Sequence, residues 1–281
     1  MARNPDAPPI TSHANPTLQR VRALLQRPDR RREERAFVVE GRRAVADALA
    51  AGAVPDLVLL RDDPAGRDAG PNLDLPPGVP VRRVAPALFG QLTEVVTPQG
   101  LLAVFPFPTV PAPPGVPLLL VVDAVRDPGN LGTLLRTAAG AGASGVLLAP
   151  GTVDPFNPKV VRAAVGAHFR VPVAPLDDAA RAALRDLPLR AVARADAAEP
   201  YDALDWRQPA ALIVGAEAAG ISDEVAALGT TGAAIPLAAG VESLNAAVAG
   251  AVLLFEAARQ RRSRKSESRE VVETRGDWVV G

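Results

Sequence analysis

The run LLLVVDAV at residues 118–125 constrains this chain more than any other stretch. It shows no polar alternation, so both faces of a strand built from it have to be covered. That is the pattern of a parallel strand with helices on both sides of its sheet. Strand signals recur at residues 145–148, 171–173, 191–193, 211–214 and 233–235, with helical stretches between most of them, and a long Ala/Leu helix is expected over 244–262. Repeated βα units of this kind imply a parallel α/β sheet.

The chain upstream reads differently. Asn15-Pro16-Thr17 opens a helical pattern with Leu18, Val21 and Leu25 on one face. The strand AFVVEG follows at 36–41, then an Ala-rich helix over 42–51 and strands at 57–60, 81–84 and 101–105, the outline of a small α/β sandwich. Residues 106–117 carry six prolines in twelve positions, too many for the interior of a helix or strand. A length of 281 residues suits two modest domains. The expected organisation is a flexible leader over 1–14, a first domain over 15–105, a Pro-rich linker over 106–117, a second domain over 118–262 and a charged, mobile tail over 263–281. Aromatic residues make up only 4% of the chain, so Ala, Val and Leu have to supply most of the core.

The net charge is zero, yet cations cluster: residues 1–43 hold ten Arg against five Asp or Glu, and five cations fall within 259–265. Uneven charge of this kind points to local anionic contacts rather than a uniformly basic coat. There is no Cys, and His13 and His168 are the only histidines, so disulfides and thiolate metal sites are excluded and no metal is expected. The opening residues lack an apolar signal region and no window approaches 18 uninterrupted apolar residues, so a cytoplasmic protein without membrane segments is expected.

Three strand-end segments carry the chemistry. The first, RDPGNLGTLLR at 126–136, sits where parallel sheets place ligands, at the carboxyl end of a buried strand and the start of a helix. Read alone, Asn130 could be a helix cap and Arg136 a solvated helix residue. The second, LIVGAEAAGIS at 212–222, nearly spells a phosphate-binding loop, but Ile221 stands where that loop needs its lysine. No G-x-G-x-x-G follows any strand, so a dinucleotide site of Rossmann type is poorly supported. The third, IPLAAGVESLNAA at 235–247, runs from a strand end into the last helix, which Glu242 or Ser243 could cap.

In order and spacing, DPGNLGTLLRTA, IVGAEAAGIS and IPLAAGVESLNAAVAGAVLLFE resemble the three motifs of the SpoU (TrmH) family of SPOUT RNA methyltransferases. NPTLQRVRALL, RRREERAFVVEG and VVTPQGLLAVF resemble that family's N-terminal substrate-binding domain, which is similar to some ribosomal proteins. The resemblance implies an α/β fold whose C-terminal parallel-sheet domain carries a deep trefoil knot, a rare exception to ordinary chain topology. It also implies S-adenosyl-L-methionine as cofactor and methylation of a ribose 2′-hydroxyl in RNA. Ribosomal RNA, the large subunit's above all, is favoured over tRNA, and a homodimer is expected. A non-catalytic RNA-binding or assembly factor is the alternative from another class.

Residue by residue, the resemblance implies that Gly215, Ile235, Leu237 and Leu244 hold the cofactor. It makes Arg136 essential for activating the 2′-hydroxyl, and has Asn130, Glu217, Ser243 and Asn245 shape the ribose and cofactor pockets. An arginine is a poor general base, so Arg136 would orient the hydroxyl or a phosphate and stabilise the developing alkoxide. Arg30, Arg31, Arg32 and Arg35, with Lys159 and Arg162, are expected to contact RNA, mostly at phosphates. Ala216 stands where many relatives carry Asn, and Ala164 where Ser is common.

Overall fold

The computed structural model describes residues 8–62, 74–93, 99–216 and 220–275, with 263–275 described by backbone alone. It divides into two compact units, residues 1–110 with 154–170, and residues 111–153 with 171–281. The first unit is therefore discontinuous in sequence, which nothing in the linear pattern announced.

In the first unit, α1 (Pro16–Gln26) starts at Asn15, whose side chain accepts from the Thr17 N–H, with Pro16 in the first turn. Leu18, Val21 and Leu24 form its buried stripe. After α2 (Pro28–Glu34), Arg35 takes the left-handed conformation that ends the helix, at φ 47°. Then come β1 (Ala36–Glu40), α3 (Arg42–Ala50), β2 (Leu57–Arg61), β3 (Val81–Val84), the short α4 (Pro86–Phe89) and β4 (Leu101–Pro106). The sheet order is β1-β4-β2-β3, antiparallel except for the β2–β3 pair. Alternate residues of β1 serve two cores: Ala36 and Val38 face the α1 side, while Phe37 and Val39 join a cluster containing Val161 and Phe169.

That second cluster is where residues 154–170 enter. Phe37 lies 4.9 Å from Phe156 and 5.7 Å from both His168 and Phe169, and Phe156 stacks on Phe107 at 3.8 Å. Arg31 was expected to meet RNA; instead it is 1% exposed. Its guanidinium donates to Asp154 at 2.8 Å and to the Leu24 and Leu25 carbonyls at the end of α1. A cation at this depth needs such partners.

In the second unit, β5 (Leu118–Val122), α5 (Pro128–Ala141), β6 (Gly145–Leu148), β7 (Val173–Pro175), α7 (Asp178–Arg185), β8 (Leu189–Ala193), β9 (Ala210–Val214), α8 (Asp223–Ala226), β10 (Thr231–Ala233) and α9 (Ala246–Arg275) follow in order; α6 (Pro158–Ala164), between β6 and β7, belongs to the first unit. All six strands pair in parallel, in the order β10-β8-β9-β5-β6-β7. LLLVVDAV thus lies inside the sheet, with Leu118, Leu120, Val121 and Val122 fully buried. From the sheet edge at β10 the chain returns to the middle, where α9 packs on α5 and β9. This return is the connection in which the expected knot would have to be tied.

Helix α9 continues through Arg275, where a mobile tail was expected from 263. The basic cluster near its middle is partly structural. Arg259 pairs with Glu256 at 2.7 Å. Arg261 donates to four carbonyls, those of Val116, Pro117, Trp206 and Gln208, and burial lowers its pKa. Among the described residues no helix is long and apolar enough to cross a membrane.

Candidate active site

The loops that leave β8, β9 and β10, with the start of α9, enclose a cavity of about 500 Å³ in the second unit. That is within the range of small-molecule sites, and its position at the carboxyl ends of parallel strands is the one such sheets favour. Four residues expected to hold the cofactor, Gly215, Ile235, Leu237 and Leu244, line it, as does Ser243.

Gly215 cannot be replaced without moving backbone, because a Cβ there would lie 2.3 Å from the Gly220 carbonyl oxygen and 2.5 Å from Ile221 Cγ1. The turn is closed by two backbone bonds, Ala216 N–H to Gly220 O at 3.0 Å and Gly220 N–H to Ala216 O at 2.8 Å, with Gly220 at φ +68°. Glu217 lies outside the described residues. Ile221, the residue that breaks the phosphate-loop pattern, forms part of the cavity wall.

The first segment is organised differently from its simplest reading. Asp127, not Asn130, caps α5, accepting from the Asn130 N–H at 2.8 Å. The Asn130 side chain turns instead to the third segment, where its Oδ1 accepts from Asn245 Nδ2 at 3.0 Å. Asn245 in turn caps α9 through Oδ1, which accepts from the Ala247 and Val248 N–H groups. Neither Glu242 nor Ser243 does so. The first and third segments are therefore tied by one amide pair across a sequence separation of 115. Close packing below it depends on Gly250, where a Cβ would meet Leu134 Cδ2 at 2.5 Å.

Arg136 is not brought to the cavity. It lies on the exposed side of α5 and is absent from the cavity walls. Sequence reasoning also missed three charged wall residues: Arg194, Asp196 and Asp223. Arg194 binds Asp196 through two nitrogens at 3.0 and 2.9 Å, and this pairing holds the carboxyl below its usual pKa. The only signal was position: Arg194 and Asp196 lie just past the end of β8, and Asp223 opens α8. Of the expected RNA contacts other than Arg31, Arg30 pairs with Glu33 and Glu34. Arg32, Lys159 and Arg162 are exposed, and exposed Arg35 sits over the Phe107 ring at 5.6 Å. Among the described residues no cluster of His, Asp or Glu is arranged to hold a metal ion.

A parallel sheet with its cavity between strand-end loops defines an α/β protein built to hold a small ligand or cofactor. Comparison with known proteins gives the family: residues 117–255 match the SpoU rRNA Methylase family, and residues 15–103 match the MRM3-like substrate binding domain. The chain is 33% identical to the human mitochondrial rRNA methyltransferase 3, over 84% of this chain and 70% of that protein. It is 34% identical to the 23S rRNA (guanosine(2553)-2′-O)-methyltransferase RlmP of Bacillus subtilis, over 80% of this chain and 89% of that one. A crystal structure of an AdoMet-bound rRNA methyltransferase from Sinorhizobium meliloti superimposes with a TM-score of 0.75 at 32% identity, covering 90% of this chain and 97% of that one. The chain belongs to the SpoU rRNA methylase family.

Proposed function

We propose that this protein transfers a methyl group from S-adenosylmethionine to a ribose 2′-hydroxyl of ribosomal RNA, with large-subunit RNA as the first candidate. The observation that carries the reading is the cavity at β8, β9 and β10, where the glycine turn and the apolar residues of two segments meet Ser243 beside the Asn130–Asn245 pair. The residues present suit the cofactor. Gly215 lets backbone amides approach it, Ile235, Leu237 and Leu244 offer an apolar wall, and Asp223 suits a ligand bearing positive charge, Asp196 being paired with Arg194.

S-adenosylmethionine, when bound, supplies a methyl group made electrophilic by its sulfonium. The protein's part is alignment and charge placement. The apolar wall excludes water, and the amide pair fixes the start of α9 against α5. Arg136 orients the hydroxyl or its neighbouring phosphate and stabilises the developing alkoxide, the hydroxyl proton passing to a substrate phosphate. Because Arg136 stands outside the cavity of its own chain, it acts in an assembly. The expected homodimer supplies one, and exposed Val248 and Phe255 on α9 suit burial against a second copy. A cytoplasmic location belongs to the same reading.

The test is transfer of labelled methyl to total rRNA and total tRNA, by the wild type and Arg136→Ala. Label in one alkali-resistant dinucleotide of rRNA, lost in the variant, is expected. Label confined to tRNA would overturn the substrate class, and no binding of S-adenosylmethionine would overturn the enzyme reading.

A further inference from the structure

One acid interrupts the apolar run that opens the second unit, and the reading above gives it no work. Asp123, just past the end of β5, is 3% exposed. An unpartnered carboxylate at that depth is costly, and Val or Ile would pack there without the penalty. Among the described residues its side chain has one partner, a backbone group: Oδ2 accepts from the Ser222 N–H at 2.6 Å. The main chain of the same residue makes a second link, its N–H donating to the Val214 carbonyl at 2.8 Å.

Val214 and Ser222 are the two ends of the loop that leaves β9. Asp123 therefore grips that loop at both ends, by backbone at its start and by side chain at its finish. Between those ends stand Gly215, Ala216, Gly220 and Ile221, all in the cavity wall. Asp123 itself is not in that wall, so anything it does for a ligand passes through the loop. Ser222 is the cap residue of α8 but makes no side-chain capping bond; its N–H bond to Asp123 joins that end of the loop to the end of β5, beside the packing of Ile221 and Val225 on the sheet.

We propose that Asp123 is a positioning residue for cofactor binding, a clasp that holds the ends of the 214–222 loop at the separation in which its glycine turn and Ile221 face the ligand. This rests on the cavity being the S-adenosylmethionine site. A clasp of this kind affects affinity, while the groups that align the hydroxyl are untouched. The amide oxygen of an asparagine would still accept from Ser222. A proline at 222 would delete the donor and leave every side chain but its own in place, and the φ of −63° at that position suits it.

The test is calorimetric titration of the full chain with S-adenosylmethionine and steady-state methylation at varied cofactor, for wild type, Asp123→Ala, Asp123→Asn and Ser222→Pro. Losing a hydrogen bond to a charged acceptor predicts that the alanine and proline variants weaken Kd and raise the cofactor KM by about tenfold or more. Their kcat at saturating cofactor should stay within about threefold of wild type, and the asparagine variant should bind within about threefold of it. Wild-type affinity in Asp123→Ala overturns the proposal, as does an asparagine variant as weak as the alanine one, or a loss confined to kcat. Amide exchange at Ser222 in the cofactor-free wild type covers the case in which a variant does not fold, since an unprotected Ser222 N–H also overturns the clasp. A wild type that fails to bind S-adenosylmethionine sinks the cofactor reading instead, and the Ser222 amide still reports on the clasp.

Discussion

The two units solve the same packing problem with different materials. Six of the seven phenylalanines, Phe37, Phe89, Phe105, Phe107, Phe156 and Phe169, belong to the first unit, together with buried Arg31 and His168. The second unit fills its sheet with Leu, Val, Ile and Ala, and Trp206 is the largest side chain in its core. Large, oriented partners make a core that tolerates little change at any one position, because each ring or charge answers to named neighbours. Small aliphatic residues repeat, so each contributes less and can be exchanged more freely. What the second unit gains is close approach of backbone, at Gly215 and Gly250, and that is where its intolerance is concentrated.

This contrast can be broken at several points. Gly215→Val should have the largest effect: its side chain collides with the Gly220 carbonyl, and the predicted result is loss of S-adenosylmethionine affinity by roughly a hundredfold or more, read by calorimetry. Asp154→Ala comes next, leaving Arg31 buried without its anion, and should cost about 3–5 kcal/mol in urea unfolding. If it costs no more than an aliphatic trim, the first unit is not held as described.

His168 adds a pH signature. Burial pushes its pKa from 6.5 down to about 4, outweighing the opposite pull of the Pro155 carbonyl that accepts from Nε2–H, so the folded form holds the ring neutral. The unfolded chain binds the proton more readily. Stability from this group is therefore full above about pH 6.5 and is lost as pH falls from there toward 4, by on the order of 3 kcal/mol. His168→Phe should flatten that part of the stability–pH curve. In the other unit Ile213→Val should cost only about 1 kcal/mol. Smallest of all, Glu33→Gln, at an exposed pair with Arg30, should change stability by less than about 0.5 kcal/mol.

What could be read from the chain divides along the same line. The parallel sheet was legible because a strand buried on both faces leaves its mark in consecutive residues, as LLLVV does. That Gly215, Ile235, Leu237 and Leu244 would stand near one another was legible from the resemblance of their short, ordered motifs, and all four line the cavity. Arg31 was misread because burial of a charge depends on a partner 123 positions away, and local sequence shows only one Arg among several. Asn130 was open between cap and site residue until Asp127 was seen to take the capping bond. Strands were misplaced by about two residues at β7 and β10, where short apolar runs extend outside the ladder, before its first pair at β7 and past its last at β10. The helix beyond 262 was missed because charged residues with no apolar stripe give no helical period.

The discontinuity of the first unit has a consequence in time. A ribosome releases residues 1–110 well before Phe156, His168 and Phe169, which that unit's core requires. At roughly 5–20 residues per second, the intervening chain takes on the order of 3–12 s to make. During that interval Phe37 lacks Phe156, Phe105 lacks Phe169 and Arg31 lacks Asp154. The nascent first unit waits, incomplete, while β5, α5 and β6 of the other are already being synthesised.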